Sequence, residues 1–231
     1  MTGVPYESNT RRVGLVRVMT QEKQELIDEQ GILIEGLFPF IKVKSRCIEN
    51  QPRGIYDGET ERIAGPKILN VARKLEGEGA EVVIISCAAD PALETVRNEL
   101  RIPVIGTGSA TAAVALNLGR EIGVIGIGQE VPAAMAELLG DRLVNYQRIE
   151  EVETAADLKS GDTKERVMKA ARTVTAQGKV DVIALACAGL STLDVYKPIE
   201  QEFGVYAVNP VIASGIQAFY ALMRHMVGGG R

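Results

Sequence analysis

Two cysteines occupy equivalent positions in two similar stretches of this sequence. Cys87 follows the apolar run Val82–Ser86, and Cys187, 100 residues further on, follows the apolar run Val182–Ala186. A helix is predicted after each cysteine, and a helix N-terminus favours a thiolate, so we expect lowered thiol pKa values. On opposite sides of a cleft, one thiolate removes a proton from carbon and the other thiol returns one to the opposite face. The alternative is that both cysteines only fill the apolar core.

The small numbers of cysteine and histidine exclude several kinds of functional site. The chain has three Cys and one His, which excludes a disulfide framework and a metal site built from several histidines. A Ser-His-Asp triad would have to use His225, near the end of the last predicted helix, so serine hydrolysis is disfavoured. Cys47 lies in a charged stretch without a predicted strand end, and we interpret it as structural. A disulfide between Cys87 and Cys187 is disfavoured in a reducing compartment.

The composition is that of a globular protein without a strongly charged surface. Among the 231 residues are 26 Lys and Arg against 30 Asp and Glu, which gives a formal net charge of −4. Nucleic acid is therefore not an expected partner, because no basic surface is available for phosphates. No segment reaches the roughly 18–20 apolar residues of a membrane helix. Met1–Glu7 lacks a basic region followed by an apolar run, so we expect no signal peptide and a cytoplasmic location.

Short apolar runs alternate with amphipathic stretches along the chain. Such runs are typical of parallel strands covered on both faces, and the alternation predicts an α/β fold. The predicted strands are Val13–Val18, Glu81–Ser86, Ile102–Gly106, Ile122–Ile127, Val180–Ala186 and Val205–Val208. The predicted helices are Gln21–Glu35 with Thr20 as its N-cap, Glu59–Glu76, Ser109–Leu118, Val131–Leu139, Asp162–Gln177 and Val211–Val227.

The order of these elements repeats, which predicts two pseudo-symmetric α/β lobes. Each lobe is expected to have a central, mostly parallel sheet flanked by helices, with the active site in the cleft between the lobes. We place the first lobe at residues 1–118 and the second at 119–231, with the C-terminal helix free to pack back onto the first. Ligands of open parallel sheets bind outside the carboxyl ends of the strands, where Cys87 and Cys187 are predicted to lie.

Three further features fall near the expected cleft, and each has two interpretations. Arg17 at a strand end fits a carboxylate clamp or an ion pair with an acidic neighbour. Asn209 fits a hydrogen bond to a substrate or a cap on the final helix. The turn-rich stretch Gln51–Glu59 fits a lid or a subunit contact, or an ordinary surface loop. The glycines of Gly123–Gly128 lack the rest of a dinucleotide fingerprint, so they do not indicate a nucleotide cofactor.

The residues around the two cysteines carry a resemblance to a known family. The first motif is Ser86–Leu93 (SCAADPAL), and Ile102–Gly106 (IPVIG) follows it; the second motif is Ala186–Leu190 (ACAGL). Together they resemble the aspartate/glutamate/hydantoin racemase superfamily. The first motif is similar to the hydantoin-racemase form, with Ala92 where Gly is usual. The resemblance covers residues 13–223.

This resemblance implies a cofactor-independent racemase in which Cys87 and Cys187 are the two bases. The amino-acid racemases of the superfamily commonly have polar residues after each cysteine, where this chain has small ones, so a hydantoin-type ring is favoured. Backbone N–H groups in these turns are expected to bind the substrate. Asp90 is expected to orient its own turn or to bond a ring N–H. The other implied substrate-binding positions are Ala88, Ala89, Ala188 and Gly189.

Two more site residues enter through the same resemblance. Thr20 fits the last position of a substrate-binding motif that follows the first strand in family members, with Arg17 at its first position. Ser109, in the turn Gly106–Thr111, lies where family members have a substrate-contacting loop, and it also fits a helix cap.

The leading hypothesis is racemisation of a 5-substituted hydantoin at an acidic C–H stereocentre. An amino-acid racemase of the aspartate/glutamate type, or a related cysteine-dependent isomerase or decarboxylase, remains open, because the fold cannot separate these chemistries. A non-catalytic small-molecule binding protein is a different class, and the paired thiols argue against it. The family's habits imply a homo-oligomer, with a small molecule as the only other expected partner.

Overall fold

The computed structural model describes residues 10–159 and 161–227, with side chains as far as Arg224. Met1–Glu7, on which the expectation about a signal peptide rests, and the side chain of His225 lie outside this description. Within the described part of the chain, no helix has both the length and the apolar character needed to cross a membrane.

Two four-stranded parallel sheets form the centre of the fold. The first sheet contains β1 (Arg11–Arg17), β2 (Ile41–Cys47), β3 (Val82–Ser86) and β4 (Val104–Gly106). The second sheet contains β5 (Ile122–Gly126), β6 (Leu143–Arg148), β7 (Val182–Ala186) and β8 (Tyr206–Val208). Their strand orders are β2-β1-β3-β4 and β6-β5-β7-β8, and every pairing is parallel. The predicted α/β architecture with two parallel sheets is confirmed.

Helices flank both sheets. In the described residues they are α1 (Gln24–Leu37), α2 (Gly58–Gly77), α3 (Leu93–Glu99), α4 (Thr107–Leu118), α5 (Ala133–Leu139), α6 (Thr163–Ala176), α7 (Tyr196–Phe203) and α8 (Pro210–Val227). Asp57 and Thr60 form a capping box at the start of α2, which fixes the loop before it. Thr20 as the N-cap of the first helix was wrong, because α1 begins after Lys23.

The strands β2 and β6 were missed in the sequence because both are edge strands. Their sequences, IKVKSRC and LVNYQR, mix polar with apolar residues, and most of their residues are only partly buried. A strand that is half exposed does not present the continuous apolar run that marks the central strands. One consequence is a correction to Cys47, which ends β2 and so does lie at a strand end.

The two sheets share the same pairing around their central strands. Val13–Arg17 pair with Val82–Ser86 in the first sheet, and Ile122–Gly126 pair with Val182–Ala186 in the second. The residue after each of these paired segments in β3 and β7 is a cysteine, so the two thiols leave their sheets at equivalent positions. The division of the chain into residues 1–118 and 119–231 stays a proposal about this repeat.

The last helix of each half packs against the sheet of the other half: α4 against the second sheet and α8 against the first. Ala112 and Ala115 of α4 share a buried apolar cluster with residues of β5 and β7. Ala218 and Leu222 of α8 share another cluster with residues of β1 and β3. The opposite faces of the two sheets are covered by α2 and α6, respectively. The halves are therefore joined through exchanged helices rather than through a flexible linker.

Two glycines allow the long helices to approach the sheets closely. A Cβ at Gly14 in β1 would lie 2.9 Å from Cβ of Leu75 in α2. A Cβ at Gly123 in β5 would lie 2.3 Å from Cγ1 of Val174 in α6. The two glycines occupy equivalent positions in the two strand registers. A side chain at either position would push the covering helix away from its sheet.

We expect Gly123→Ala to lower the free energy of unfolding by about 1–3 kcal/mol, because Val174 can make room only if α6 moves. The control is Gly36→Ala in α1, where an added Cβ meets nothing within 4 Å. That variant is expected to gain about 0.5–1 kcal/mol. Urea unfolding followed by circular dichroism measures both variants, and equal stabilities would contradict this account of the α6 packing.

Candidate active site

One cavity lies at the carboxyl ends of the two sheets and is lined by residues of both halves. Its volume is about 410 Å³, within the range of small-molecule sites. Cys87 enters it from the first half and Cys187 from the second. The structure therefore brings together the two thiols that the sequence singled out. The predicted substrate-binding residues that also line the cavity are Arg17, Ala88, Ala89, Ala188 and Gly189.

Both thiols lie in surroundings that favour their neutral form. Desolvation is the largest influence on each, and it raises the pKa of Cys87 to about 12 and the pKa of Cys187 to about 11. Backbone N–H groups oppose this rise, with Ala89 donating to the Cys87 sulfur and Gly189 and Leu190 donating to the Cys187 sulfur. Negative charge on Cys187 raises the pKa of Cys87 further. Each thiol is thus protonated at neutral pH and is a strong base once ionised.

The expectation that helix dipoles would lower the thiol pKa values was wrong. After Cys87 the chain turns through Ala92 before α3 begins, and Cys187 leads into a short 3₁₀ turn, Ala188–Thr192. A helix N-terminus acts mainly within its own first turn, so neither thiol receives the full effect of a long helix. Burial consequently dominates over the local N–H donors.

Asp90 orients the turn that follows Cys87. Its backbone has φ 51°, and its carboxylate accepts the N–H groups of Gly108 at 2.7 Å and of Ser109 at 2.8 Å, together with the Ser109 hydroxyl. Burial raises the pKa of Asp90, and these hydrogen bonds oppose the rise. Neither Asp90 nor Ser109 lines the cavity. Their polar groups satisfy each other, which gives both residues a structural role, and contact with a substrate stays a prediction.

The Cys87 motif is also fixed by close packing and by a strained backbone. A Cβ at Gly108 would lie 2.0 Å from the carbonyl oxygen of Ala88, so α4 approaches the motif as closely as a glycine permits. Ala92 has φ 55°, a left-handed conformation that costs a residue with a side chain roughly 1–2 kcal/mol. This strain accounts for the glycine that is usual at this position of the motif.

Thr20 and Asn209 are not part of the cavity wall either. The Thr20 hydroxyl donates to the Ile48 carbonyl at 2.8 Å and accepts the Gln51 N–H at 2.8 Å, so it ties two loops together. The Asn209 side chain accepts the N–H groups of Val211 and Ile212, which caps α8. For Asn209 the structure shows the cap. Thr20 fixes two loops. A contact of either residue with a substrate stays a prediction.

Arg17 reaches the cavity wall, but its guanidinium group is bound by residues of α1. Its Nη1 donates to the carbonyl oxygens of Leu26 at 2.8 Å and Ile27 at 2.9 Å, and its Nη2 pairs with Glu29 at 3.0 Å. Only 5% of Arg17 is exposed. Because α1 engages both terminal nitrogens, the ion pair with an acidic neighbour is present, and the two-pronged carboxylate clamp stays a prediction.

The cavity also contains residues outside the predicted site. The loop before α2 supplies one wall through residues 54–58, so Gln51–Glu59, which the sequence marked by its density of turn formers, is more than an ordinary surface loop. Gln30 and Tyr146 also line the cavity, and neither has a recognisable motif. The Tyr146 hydroxyl donates to the Gly128 carbonyl at 2.6 Å, and burial raises the pKa of Tyr146 to about 12.

The charged groups around the cavity are mainly acidic. Four carboxylates lie in its wall, and they are Asp57, Glu61, Glu130 and Glu153. In the described part of the chain none of the four forms an ion pair with a basic side chain. Glu61 is near enough to Cys87 to raise the pKa of that thiol. The cavity therefore offers little to a strongly anionic ligand.

Taken together, the fold and the cavity define a class of proteins, two-lobed α/β proteins with a small-molecule cavity where two parallel sheets meet. The chain belongs to the Asp/Glu/hydantoin racemase family, whose model matches residues 33–215. This membership confirms the resemblance that the two cysteine motifs carry, and it assigns the protein to the racemases.

Individual relatives agree with this assignment. The chain is 27% identical over 184 residues to a hydantoin racemase of Rhizobium meliloti, covering 78% of this chain and 73% of the relative. It is 22% identical over 170 residues to a hydantoin racemase of Pseudomonas sp. strain NS671, covering 70% and 66%. Among solved structures, an allantoin racemase from Klebsiella pneumoniae has a TM-score of 0.80 at 19% identity and covers 92% of this chain and 88% of that one. At that identity the last comparison supports the fold alone.

We expect alkylation of Cys87 and Cys187 by iodoacetamide to accelerate about tenfold per pH unit from pH 7 upwards, without a plateau below pH 10. Only the thiolate reacts, and burial has raised both pKa values. The rate at each cysteine is measured by mass spectrometry of the native protein. The same protein unfolded in urea is the control, where the rate should level off above the ordinary cysteine pKa of about 8.5. A plateau near pH 7 in the native protein would contradict the buried environment.

Proposed function

We propose that this protein racemises 5-substituted hydantoins, with Cys87 and Cys187 as its two acid–base groups and without a cofactor. The observation that carries the proposal is the presence of both thiols, from equivalent strand ends, in one cavity. A protein that only binds a ligand has no use for two thiols placed in this way. Inversion of a carbon centre by direct proton transfer is served by one acid–base group on each face.

The reaction needs no group beyond the two thiols and the nearby N–H donors. A thiolate takes the C5 proton, so the C–H bond breaks, an S–H bond forms, and the electron pair moves onto the adjacent ring carbonyl oxygen. The thiol on the other side then gives its proton to C5, and the electron pair returns from oxygen to carbon. Backbone N–H groups of the small-residue turns after each cysteine are available to bind the enolate oxygen. The raised pKa makes each thiolate a stronger base toward a weak carbon acid and lowers the fraction of thiolate present at neutral pH.

The charges of the cavity favour a neutral ring over a dicarboxylic amino acid. Four carboxylates line the wall, while the Arg17 guanidinium is held by α1. An aspartate or glutamate substrate would bring further negative charge into this partly desolvated space, where repulsion is stronger than in water. The small residues after each cysteine also lack side-chain groups that would bind a carboxylate.

The relatives support the same substrate class. Both curated relatives are named hydantoin racemases. The proposal includes a cytoplasmic location, because a reducing compartment keeps Cys47, Cys87 and Cys187 as free thiols. A homo-oligomer remains part of the proposal on the family resemblance.

The direct test is incorporation of deuterium at C5 of an enantiopure hydantoin in deuterated buffer, followed by NMR and chiral chromatography. We expect Cys87→Ser and Cys187→Ser each to lose at least 100-fold in racemisation, because a hydroxyl is a far weaker acid than a thiol. Cys47→Ser is the matched control and is expected to keep its activity, since Cys47 does not line the cavity. Full activity in either of the first two variants would contradict two-thiol catalysis. Exchange of aspartate or glutamate without exchange of hydantoins would favour an amino-acid racemase instead.

Two hydantoins that differ in one group test whether the cavity repels an anionic substrate. At pH 7.5 we expect kcat/KM for 5-carbamoylmethylhydantoin to exceed that for 5-carboxymethylhydantoin at least tenfold, because the second substrate carries a carboxylate of nearly the same size. Glu61→Gln should narrow the difference, and so should added salt, which screens the exposed carboxylates. Equal values for the two substrates, or a preference for the carboxylate, would contradict an anion-repelling cavity.

A further inference from the structure

One buried side chain connects the two cysteine motifs. Gln30 of α1 is 1% exposed. Its Oε1 accepts the hydroxyl of Ser86 at 2.5 Å, and its Nε2 donates to the carbonyl oxygen of Ala188 at 2.9 Å. Ser86 comes directly before Cys87, and Ala188 comes directly after Cys187. A single amide thus spans the junction between the sheets beside both thiols.

The chemistry of this contact requires an amide. The Ser86 hydroxyl needs an acceptor and the Ala188 carbonyl needs a donor, and the glutamine side chain supplies one of each from two atoms of the same group. A carboxylate would face the Ala188 carbonyl with a second oxygen, and an apolar side chain would leave both buried partners without a hydrogen bond. Loss of a partner at a buried polar group is costly, so the contact resists displacement of either motif.

We infer that Gln30 is a positioning residue that sets the placement of Cys87 relative to Cys187. The inference rests on the proposed function, in which one thiol deprotonates C5 and the other must already be aligned with the opposite face. Misplacement of a catalytic group by about 1 Å can cost on the order of 100-fold in rate. Although Gln30 lines the cavity, its amide is engaged by Ser86 and Ala188, so Gln30 acts on inversion through this alignment and not as an acid or a base.

The alignment predicts a particular failure when the amide is removed. An enolate whose opposite thiol is misplaced is reprotonated by the thiol that formed it, or on the same face after that thiol has exchanged with solvent. The first route restores the protiated substrate, and the second gives C5 deuterium without inversion. Exchange with retention should therefore increase relative to inversion, which a simple loss of folded protein cannot produce.

The experiment compares Gln30→Met with a control that loses a similar bond elsewhere. Gln30→Met keeps the length of the side chain and removes both hydrogen bonds. Asn145→Leu is the matched control, because the Asn145 amide donates to the Val174 carbonyl at 3.2 Å and does not line the cavity. Both are assayed with an enantiopure hydantoin in deuterated buffer, with the spontaneous rate subtracted, and their melting temperatures are measured.

For Gln30→Met we expect kcat for inversion to fall at least tenfold, KM to change by less than threefold, and the ratio of retained to inverted deuterated substrate to rise at least fivefold. Asn145→Leu should leave all three near the wild-type values. Ser86→Ala, which removes one arm of the contact, should shift the ratio in the same direction if Gln30→Met does not fold. An unchanged ratio in both Gln30→Met and Ser86→Ala would overturn the inference.

A second readout needs no hydantoin and separates this inference from the proposed function. In a Cys47→Ser background, Gln30→Met is expected to raise the rates of iodoacetamide labelling at both Cys87 and Cys187 at least threefold, because neither motif is then held. Labelling rates equal to those of the Asn145→Leu control would overturn the positioning role. If the wild-type protein exchanges no hydantoin, the proposed function falls, and the labelling rates still decide the role of Gln30.

Discussion

The exchange of α4 and α8 between the two halves is the constraint on which the rest of the structure depends. Each helix buries apolar residues against the sheet of the opposite half, so the cover of one face of each sheet is completed by a helix of the other half. The carboxyl ends of both sheets are thereby fixed around one cavity, and the residue that follows β3 and the residue that follows β7 are brought to it together. Because parallel strands place loops rather than regular structure at that edge, the two cysteines and their small neighbours are free to form a site there.

Burial decides the chemistry of that site. Desolvation raises both thiol pKa values, which lowers the fraction of thiolate but makes each thiolate a stronger base. The acidic wall and the internally paired Arg17 disfavour binding of a carboxylate. The proposed substrate, a neutral and weakly acidic ring, is compatible with such surroundings. The same low polarity strengthens each N–H contact to a developing enolate, so binding and proton transfer follow from a single property of the cavity.

The sequence predicted the features that depend on local pattern, and it failed where partners are chosen in three dimensions. Continuous apolar runs located the central strands and placed Cys87 and Cys187 at their ends. The edge strands β2 and β6 were not predicted, because their half-exposed residues form no continuous apolar run. Asp90 and Asn209 were recognised as polar residues near the cleft, yet both use their hydrogen bonds to fix the backbone. No pattern marked Gln30, whose partners lie 56 and 158 residues away, and the direction of the thiol pKa shifts depended on burial.

The central claim is that two opposed thiols invert one carbon, and the distribution of isotope in the first turnovers tests it most directly. A single hydantoin enantiomer is incubated with the wild-type protein in deuterated buffer, and the reaction is stopped at a few per cent conversion. We expect the newly formed enantiomer to carry deuterium at C5, because its new hydrogen comes from the opposite thiol, which has exchanged with solvent. The recovered starting enantiomer should remain protiated. Equal deuterium in both enantiomers from the outset would show that one base serves both faces and would contradict the account.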